Sequence, residues 1–226
     1  MNGFNSIAID GPSGAGKSSL ARRLAKELGF IYVDTGAIYR CVGLAAYRRG
    51  LDTKNADAIT AMLPEIKIEM RYNAEGEQRM FLDGEDVSAE IRLPEVSICA
   101  SNVSALPAVR AYLLEMQRHM ARTHNVIMDG RDIGTVVLPD AELKIFLTAN
   151  AEARAQRRLL ELQGKGIEAD YAEVLRDIEY RDRQDSGRKT APLRAADDAV
   201  HVDTSSIDFE QSAALLRGIV RERLGL

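Results

Sequence analysis

The stretch "SIAIDGPSGAGKSSLARRLAKEL", residues 6–28, decides the fold. A short strand pattern precedes the loop at residues 11–19, and a segment with helical spacing follows it. From Gly11 to Ser18 the loop satisfies the pattern G-x-x-x-x-G-K-[ST] in the strand–loop–helix context that this motif requires. Such a loop points its backbone N–H groups inward, and the following helix adds the positive end of its dipole. The sequence therefore predicts a binding site for polyphosphate.

Three kinds of residue in this loop have separate tasks. The glycines let the backbone approach a ligand closely because they lack a side chain. Lys17 supplies a mobile positive charge for the β- and γ-phosphates, and the hydroxyl of Ser18 can ligate Mg²⁺. The full motif in its context disfavours the alternative, a glycine-rich turn without a ligand.

Apolar segments alternate with helical patterns along most of the chain. The strand patterns are "SIAI" (6–9), "FIYV" (30–33), "NVIMD" (125–129), "LKIFL" (143–147) and "AVHV" (199–202). The helical patterns cover 17–28, 36–49, 107–122, 151–163 and 208–224. Repeated β-then-α units with buried strands predict an α/β fold of the P-loop NTPase type, with a central parallel sheet between two helix layers.

Residues 65–87 break this alternation. In "EIKIEMRY" apolar side chains alternate with charged ones, which is typical of a strand with one buried face. The stretch "QRMFLDGEDV" follows and contains a turn signal at Asp83-Gly84. We therefore expect a small antiparallel sheet, inserted into the parallel architecture and protruding from the main sheet.

Composition argues against several classes of function. The chain has 226 residues, a net charge of -4 and 5% aromatic residues, which does not support a nucleic-acid-binding surface with stacking rings. Arginine supplies 23 of the 30 basic residues, which favours planar, bidentate recognition of phosphate. Cys41 and Cys99 match no metal or redox spacing. No apolar run approaches a membrane span and no secretory signal pattern is present, so we expect a cytoplasmic protein without nucleic-acid or membrane partners.

Because many classes of protein use a P-loop, the other charged residues must indicate the chemistry. "DTGAIYR" ends the second strand and presents Arg40 one turn into the next helix. The alternative is that Asp34 or Thr35 is simply the N-cap of that helix and Arg40 is a surface residue. "VIMDGRDIG" ends the third strand with Asp129, which has the form of a Walker B carboxylate near Mg²⁺. The turn after it lies where open α/β sheets bind ligands, and it carries Arg131 and Asp132.

Two further clusters lie late in the chain. Arg154, Arg157 and Arg158 share one helical face by their spacing, but a solvated helix with Glu161 as an ion-pair partner explains them almost equally well.

Arg181, Asp185 and Arg188 recur at i, i+4 and i+7, just ahead of "KTAPL". Arg183 and Lys189 lie nearby in the sequence, so this face concentrates positive charges that repel one another. A bound phosphate would reduce that repulsion.

Several stretches carry a resemblance to a known family: "IDGPSGAGKSS", "DTGAIYR", "DGRDIGTVVLPDA", "KIFLTA", "RDRQDSGR" and "APL". In this order and at these intervals they resemble bacterial cytidylate kinases, which are nucleoside monophosphate kinases. The resemblance runs nearly end to end, and "GAIYR" and "GRDIGT" are more specific than the P-loop. It implies ATP-dependent phosphorylation of CMP and dCMP by direct in-line transfer with Mg²⁺. We expect a monomer.

The resemblance also implies an organisation of the chain and a set of site residues. One P-loop kinase domain would comprise a core (1–34, 101–150 and 195–226), an acceptor-binding insert (35–100) that holds the small antiparallel sheet, and a mobile lid (151–194). ATP would contact Gly11, Pro12, Ser13, Gly14, Ala15, Gly16, Lys17, Ser18 and Ser19, with Arg157 or Arg158 from the lid. CMP would contact Thr35, Arg40, Ser101, Arg110, Arg131, Asp132, Arg181, Asp185 and Arg188.

Roles follow from the same resemblance. The catalytic residues would be Lys17, Arg131, Arg181 and Arg188. Arg40, Arg131 and Arg188 would hold the acceptor phosphate, and Arg181 would lie near the transferring group. Ser101, Arg110 and Asp132 would recognise the cytosine edge, and Asp185 the sugar hydroxyls. Ser18 would bind Mg²⁺, with Asp129 directly or through water.

Two alternatives remain open on the residues themselves. A P-loop kinase for another small acceptor, such as UMP or shikimate, would keep the loop and the lid but lack the pairing of Asp132 with Arg110. A nucleotide-binding switch without acceptor chemistry needs no second anion site, so the Arg/Asp/Arg face at 181–188 argues against it.

Overall fold

The computed structural model describes residues 3–164 and 166–226. Its strands are β1 (Ser6–Asp10), β2 (Ile31–Asp34), β3 (Ile68–Tyr72), β4 (Gln78–Leu82), β5 (Glu85–Asp86), β6 (Val126–Gly130), β7 (Leu143–Thr148) and β8 (Val200–Asp203). Within the described residues, a five-stranded sheet has the order β2-β6-β1-β7-β8, and all its pairings are parallel. The sequence prediction of a central parallel sheet is confirmed.

Helices cover both faces of this sheet. They are α1 (Lys17–Leu28), α2 (Thr35–Arg48), α3 (Ala56–Met62), α4 (Pro94–Ser104), α5 (Pro107–Thr123), α6 (Ala151–Gly164), α7 (Tyr171–Gly187) and α8 (Phe209–Leu224). Ile7 and Ile9 of β1 pack with Leu24 of α1 and Leu216 of α8. Ala8 points to the other face, in one apolar cluster with Ala121 of α5. β1 is buried along its whole length because both of its faces are covered.

The ends of several helices follow from their capping residues. Gly29 ends α1 in the left-handed conformation (φ 68°), which glycine adopts without steric cost. Asp208 and Gln211 form a capping box at the start of α8, with both reciprocal hydrogen bonds present. None of the helices in the described part of the chain combines the length and the apolarity needed to cross a membrane.

A second sheet, β3-β4-β5, is antiparallel, as the alternating pattern predicted. Asp83 and Gly84 both have positive φ (53° and 88°), which suits the tight turn of a β-hairpin. The side-chain amide of Gln78 accepts from the backbone N–H of Asp34 (2.8 Å) and donates to its carbonyl oxygen (3.2 Å). The small sheet therefore lies directly against the end of β2.

The strand order places acidic residues together at the carboxyl edge of the parallel sheet. Asp129 of β6 is in register with Ile9 of β1 and with Asp34 of β2. Asp10 ends β1 immediately before the P-loop. Ligands of open α/β sheets bind outside this edge, where the strand order changes direction around the first strand.

Helices α2 and α4 approach closely at Gly43. A Cβ atom at this position would lie 2.7 Å from the backbone nitrogen of Ala100, which real Cβ contacts do not show. The contact matters for function because α2 and α4 form one wall of the site described below.

Gly43→Ala should reduce the free energy of unfolding by about 1–3 kcal/mol, because the added methyl pushes the two helices apart. Gly218→Ala is the matched control within α8, where a Cβ would meet nothing within 4 Å. There alanine should stabilise by up to about 1 kcal/mol through its higher helix propensity. Denaturant unfolding measures both changes, and a Gly43→Ala protein as stable as the parent would contradict the close contact.

Candidate active site

The carboxyl edge of the sheet opens into a cleft whose walls come from the P-loop, α2, α4 and α7. Residues predicted from the sequence line it: Ser13, Gly14, Lys17, Ser18, Thr35, Arg40, Ser101, Arg110, Asp129, Arg131, Asp132, Arg181, Asp185 and Arg188. The residues proposed for the donor and for the acceptor thus share one cleft.

The P-loop wraps around the buried amine of Lys17. Gly11 has φ 151°, and a Cβ there would lie 1.9 Å from the carbonyl oxygen of Leu147, so only glycine fits. Lys17 Nζ donates to the carbonyl oxygen of Pro12 (2.7 Å). Burial, followed by the nearby Arg131 guanidinium, lowers the pKa of Lys17 below its usual range. An anion in the cradle would favour the charged form of this amine.

Asp129 is held from three sides. Ser18 Oγ donates to its Oδ2 (2.9 Å), and the Tyr32 hydroxyl donates to its Oδ1 (2.8 Å). Thr35 Oγ1 donates to its backbone carbonyl oxygen (2.7 Å). Burial, followed by the nearby Asp34 carboxylate, raises the pKa of Asp129. The Ser18 hydroxyl and this carboxylate thus place oxygen atoms side by side at the start of α1.

Arginines from separate elements converge on the middle of the cleft. Arg40 of α2 donates to Ser97 Oγ of α4 (2.6 Å). Burial, followed by repulsion from Arg92, lowers the pKa of Arg40 to about 10. Burial also lowers the pKa values of Arg181 on α7 and of Arg188, the residue that follows α7. Cations whose charge is disfavoured in this way form a site that gains from binding an anion.

Asp185 offsets part of this charge. Its Oδ2 accepts from Arg131 Nε (2.7 Å) and its Oδ1 from Arg188 Nη2 (3.0 Å). Although burial alone would lower the pKa of Arg131, the Asp185 carboxylate raises it. Arg181 and Asp185 lie on α7, whereas Arg188 is the extended residue that caps its end, so the predicted helical spacing does not reach Arg188. All three side chains line the cleft, and Asp185 joins the turn after β6 to α7.

Arg110 of α5 and Asp132 form a buried ion pair that lines the same cleft as Lys17. Arg110 Nη1 also donates to the carbonyl oxygen of Ser104 (3.1 Å), and its guanidinium lies 5.5 Å from the centre of the Tyr39 ring. Arg110 is 8% exposed and Asp132 is 4% exposed. A buried donor fork beside a buried carboxylate can recognise a ligand edge that carries both donors and acceptors.

Comparison with known proteins agrees with this geometry. A family model described as Cytidylate kinase matches residues 7–221. The chain belongs to the cytidylate kinase family. The cytidylate kinase of Pelotomaculum thermopropionicum is 50% identical over 216 residues, which cover 96% of each chain. That of Caldicellulosiruptor bescii is 51% identical over 205 residues, which cover 91% of this chain and 90% of the relative.

Similarity to a solved structure extends the comparison to the fold alone. The crystal structure of a gluconokinase from Sinorhizobium meliloti matches with a TM-score of 0.50 at 13% identity, and the match covers 98% of this chain and 94% of that chain.

Not every residue that the cytidylate kinase resemblance assigns to ATP lines the cleft. Arg157 donates to the backbone carbonyl of Thr204, and Arg158 pairs with Glu161 (2.8 Å). Both lie on α6, away from the cleft lining. The other proposed ATP contacts that do not line the cleft are Gly11, Pro12, Ala15, Gly16 and Ser19. The ATP assignments of the two lid arginines stay predictions.

Sequence reasoning missed several lining residues of this cytidylate kinase cleft. Arg92 pairs with Asp34 (2.7 Å), and Ser104 Oγ accepts from Arg188 Nη1 (3.4 Å). Ser97 and Ser104 could have been found with Ser101, because the three serines recur at i, i+4 and i+7 on one face of α4. For Arg92 the local pattern gave no signal.

Asp10 connects the P-loop strand to the segment that follows Asp132. Its Oδ1 accepts from the backbone N–H of Ile133 (2.8 Å) and its Oδ2 from that of Gly134 (2.7 Å). Burial raises the pKa of Asp10 to about 6 against the opposing effect of these two hydrogen bonds. The carboxyl group therefore binds a proton more tightly in the folded than in the unfolded chain.

Asp10 should make folding stability depend on pH. A group whose pKa is raised from 3.8 to about 6 contributes stability that is complete below pH 3.8 and is lost as the pH rises through about 6. On lowering the pH from about 7.5 to about 5, the wild type should therefore gain about 1 kcal/mol of stability over Asp10→Asn. Denaturant unfolding of both proteins at each pH measures the difference, and parallel pH profiles would refute it.

Proposed function

We propose that this chain catalyses the ATP-dependent phosphorylation of CMP and dCMP to CDP and dCDP. One observation carries the proposal: a single cleft is lined both by the P-loop lysine Lys17 and by the buried Arg110–Asp132 pair. Direct transfer between two nucleotides requires both reactants to be held in one enclosed space. The names of the curated relatives support the same reaction.

The donor would bind with its phosphates in the P-loop. Loop backbone N–H groups and the N-terminus of α1 would bind the phosphate oxygens, and Lys17 would neutralise the β- and γ-phosphates. Gly14 lines the cleft with φ 77°, a conformation that suits glycine. ATP would displace the Pro12 carbonyl as the partner of Lys17.

Mg²⁺ is the cofactor that the donor set fits. Ser18 Oγ and Asp129 Oδ2 are oxygen donors 2.9 Å apart at the mouth of the loop, and Mg²⁺ favours few protein oxygens together with substrate phosphates and water. When bound, the ion would offset negative charge on the phosphates. Tyr32 orients the carboxylate by donating to its other oxygen.

The acceptor base would be recognised by Asp132 and Arg110, with Ser101 beside them. The exocyclic amine of cytosine can donate to a carboxylate, while N3 and O2 accept from a guanidinium. Uracil presents a carbonyl oxygen where cytosine presents the amine, so a buried carboxylate would face it without a donor. Each such unpaired neutral group costs about 1–3 kcal/mol, and a charged group costs more.

The acceptor phosphate would lie among Arg40, Arg131 and Arg188, with Arg181 toward the transferring group. Asp185 would then exchange part of its ion pairing for hydrogen bonds to the sugar hydroxyls. Thr35 would border the same nucleotide from the start of α2.

Transfer would proceed by direct in-line attack of a CMP phosphate oxygen on the γ-phosphorus. The new P–O bond forms as the bond to the β,γ-bridging oxygen breaks, and ADP leaves with that electron pair. Preorganised positive charge from Lys17 and the cleft arginines stabilises the charge that develops on the transferring group. Closure of the lid, α6 and α7, would exclude water and so limit wasteful ATP hydrolysis.

An ATP-coupled assay of the wild type with CMP, dCMP, UMP, AMP and GMP tests the proposal. CMP and dCMP should be phosphorylated with far higher kcat/KM than UMP, AMP or GMP. Preferential turnover of UMP would favour another small-acceptor kinase, and ATP binding without any acceptor turnover would favour a nucleotide-binding switch.

The compartment and the assembly state belong to the same proposal. Cys41 and Cys99 are both free thiols, which is consistent with the reducing cytoplasm that the sequence analysis expected. A monomer remains our expectation, and light scattering of the purified protein at assay concentration measures it.

Lys17→Ala should lower kcat by about 100-fold or more while the protein stays folded, because a preorganised charge is lost from the phosphoryl transition state. Lys26→Ala is the matched control, since Lys26 is an exposed lysine in the last turn of the same helix. Steady-state kinetics with CMP and circular dichroism measure both. Near-normal kcat for a folded Lys17→Ala protein would remove Lys17 from the proposed role.

Asp132→Ala should lower kcat/KM strongly for CMP and only weakly for UMP, so that the preference collapses. Sites built on hydrogen bonds can discriminate by roughly 10^4 in kcat/KM, and most of that ratio should disappear here. Asp140→Ala controls for removal of an exposed carboxylate from the nearby chain.

Thermal melting of the same three proteins separates recognition from folding. If Asp132→Ala is less stable but keeps the parent ratio of CMP to UMP, Asp132 is a structural residue and does not select the base.

A further inference from the structure

Helix α7 carries the acceptor-binding residues, so its position relative to the P-loop determines whether the two reactants meet. Apolar packing holds its first part: Val174 and Ile178 cluster with Ala155 of α6. Among the described residues this cluster reaches no farther along α7 than Ile178, whereas Arg181, Asp185 and Arg188 follow it. The placement of the cleft-lining end therefore depends on polar contacts.

Arg154 of α6 makes a polar contact with α7 just beyond the end of this cluster. Its Nη1 and Nη2 donate to the two carboxylate oxygens of Asp182 on α7 at 2.9 and 2.6 Å. Its Nη1 also donates to the carbonyl oxygen of Ser13 in the P-loop (3.0 Å). Its Nε donates to the carbonyl oxygen of Ala149, which follows β7 (2.8 Å). One guanidinium thus joins α6, α7, the P-loop and the end of a core strand.

Burial and geometry make this guanidinium a rigid link. Arg154 is only 4% exposed, and a Cβ on Gly14 would lie 3.3 Å from the Arg154 Cβ, so the side chain packs against the loop. Arg154 does not line the cleft. The planar fork fixes the directions of its donors, which a lysine ammonium cannot do.

We propose that Arg154 is a positioning residue that sets the distance between the ATP-phosphate loop and the acceptor-binding side chains of α7. It acts through Asp182, which is the residue next to Arg181, and through Ser13. A misplacement of reacting groups by about 1 Å can lower the rate by about 100-fold, so this link controls turnover without touching either nucleotide. The role presupposes the kinase reaction proposed above.

Asp182→Asn and Arg154→Lys test this role. Each breaks the two-pronged contact, and each should lower kcat by about 10- to 100-fold. Asp182→Asn should raise the KM for CMP more than the KM for ATP. Asp182 lies on α7 next to Arg181, and its partner Arg154 belongs to α6 and not to the P-loop. The double variant should be no more than about twofold slower than the slower single variant, because both substitutions remove one interaction.

Arg217→Lys provides the matched control. Arg217 of α8 makes the same kind of two-pronged contact with Glu27 of α1, at 2.8 and 3.1 Å, and does not line the cleft. Its kcat should stay within about twofold of the wild type. Hydrogen exchange of residues 181–187 is measured on all four variants in the absence of nucleotides, and it should accelerate in the three Arg154 and Asp182 variants only.

The outcomes separate the two proposals. Single variants with wild-type kcat, even if they melt at lower temperature, would show that Arg154 is only structural. Multiplying effects in the double variant, or unchanged exchange at 181–187, would also overturn the link. A wild type that does not phosphorylate CMP overturns the proposed function, and the exchange measurement then still decides whether Arg154 fixes α7.

Discussion

Burial of positively charged side chains close to one another is the constraint on which the rest of this structure depends. A cleft that binds a donor polyphosphate and an acceptor phosphate must concentrate Lys17 and several arginines where water is scarce. Burial there disfavours the charged forms of Lys17, Arg40, Arg181 and Arg188. Burial lowers the pKa values of these four groups, whereas the Asp185 carboxylate raises that of Arg131. An anion that binds beside the four groups would therefore relieve an unfavourable state of the free cleft. The rest of the fold keeps these charges in place without neutralising them completely.

Carboxylates perform that balancing because of where the strands end. Asp10, Asp34 and Asp129 lie at the carboxyl edge of the parallel sheet, and Asp132 follows in the next turn. Each has a defined partner: backbone N–H groups for Asp10, Arg92 for Asp34, the hydroxyls of Ser18 and Tyr32 for Asp129, and Arg110 for Asp132. Asp34 and Asp132 thus each hold one arginine in place, and the residues that line the cleft still include more cations than carboxylates.

Most of the fold could be predicted, because buried parallel strands form continuous apolar runs and the P-loop fixes the first β–α unit. Helix α4 gave a weaker signal: its buried residues, Val96, Ala100 and Val103, are few and mixed with serines. Lateral contacts were harder still. The spacing places Arg154, Arg157 and Arg158 on one face of α6, but each contacts a different residue. The spacing gives the side of the helix on which a residue lies, whereas its partner also depends on which neighbouring element lies beside that turn of the helix.

The contact between the small sheet and β2 has a consequence for solubility. β2 is the outermost strand of the parallel sheet, and such an edge exposes backbone groups that can pair with another molecule. Gln78 bonds both the N–H and the carbonyl of Asp34 as a neighbouring strand would, and the Tyr72 hydroxyl donates to the carbonyl of Tyr32 (2.9 Å). Side chains of the inserted sheet thus complete the edge and protect it against aggregation by strand addition.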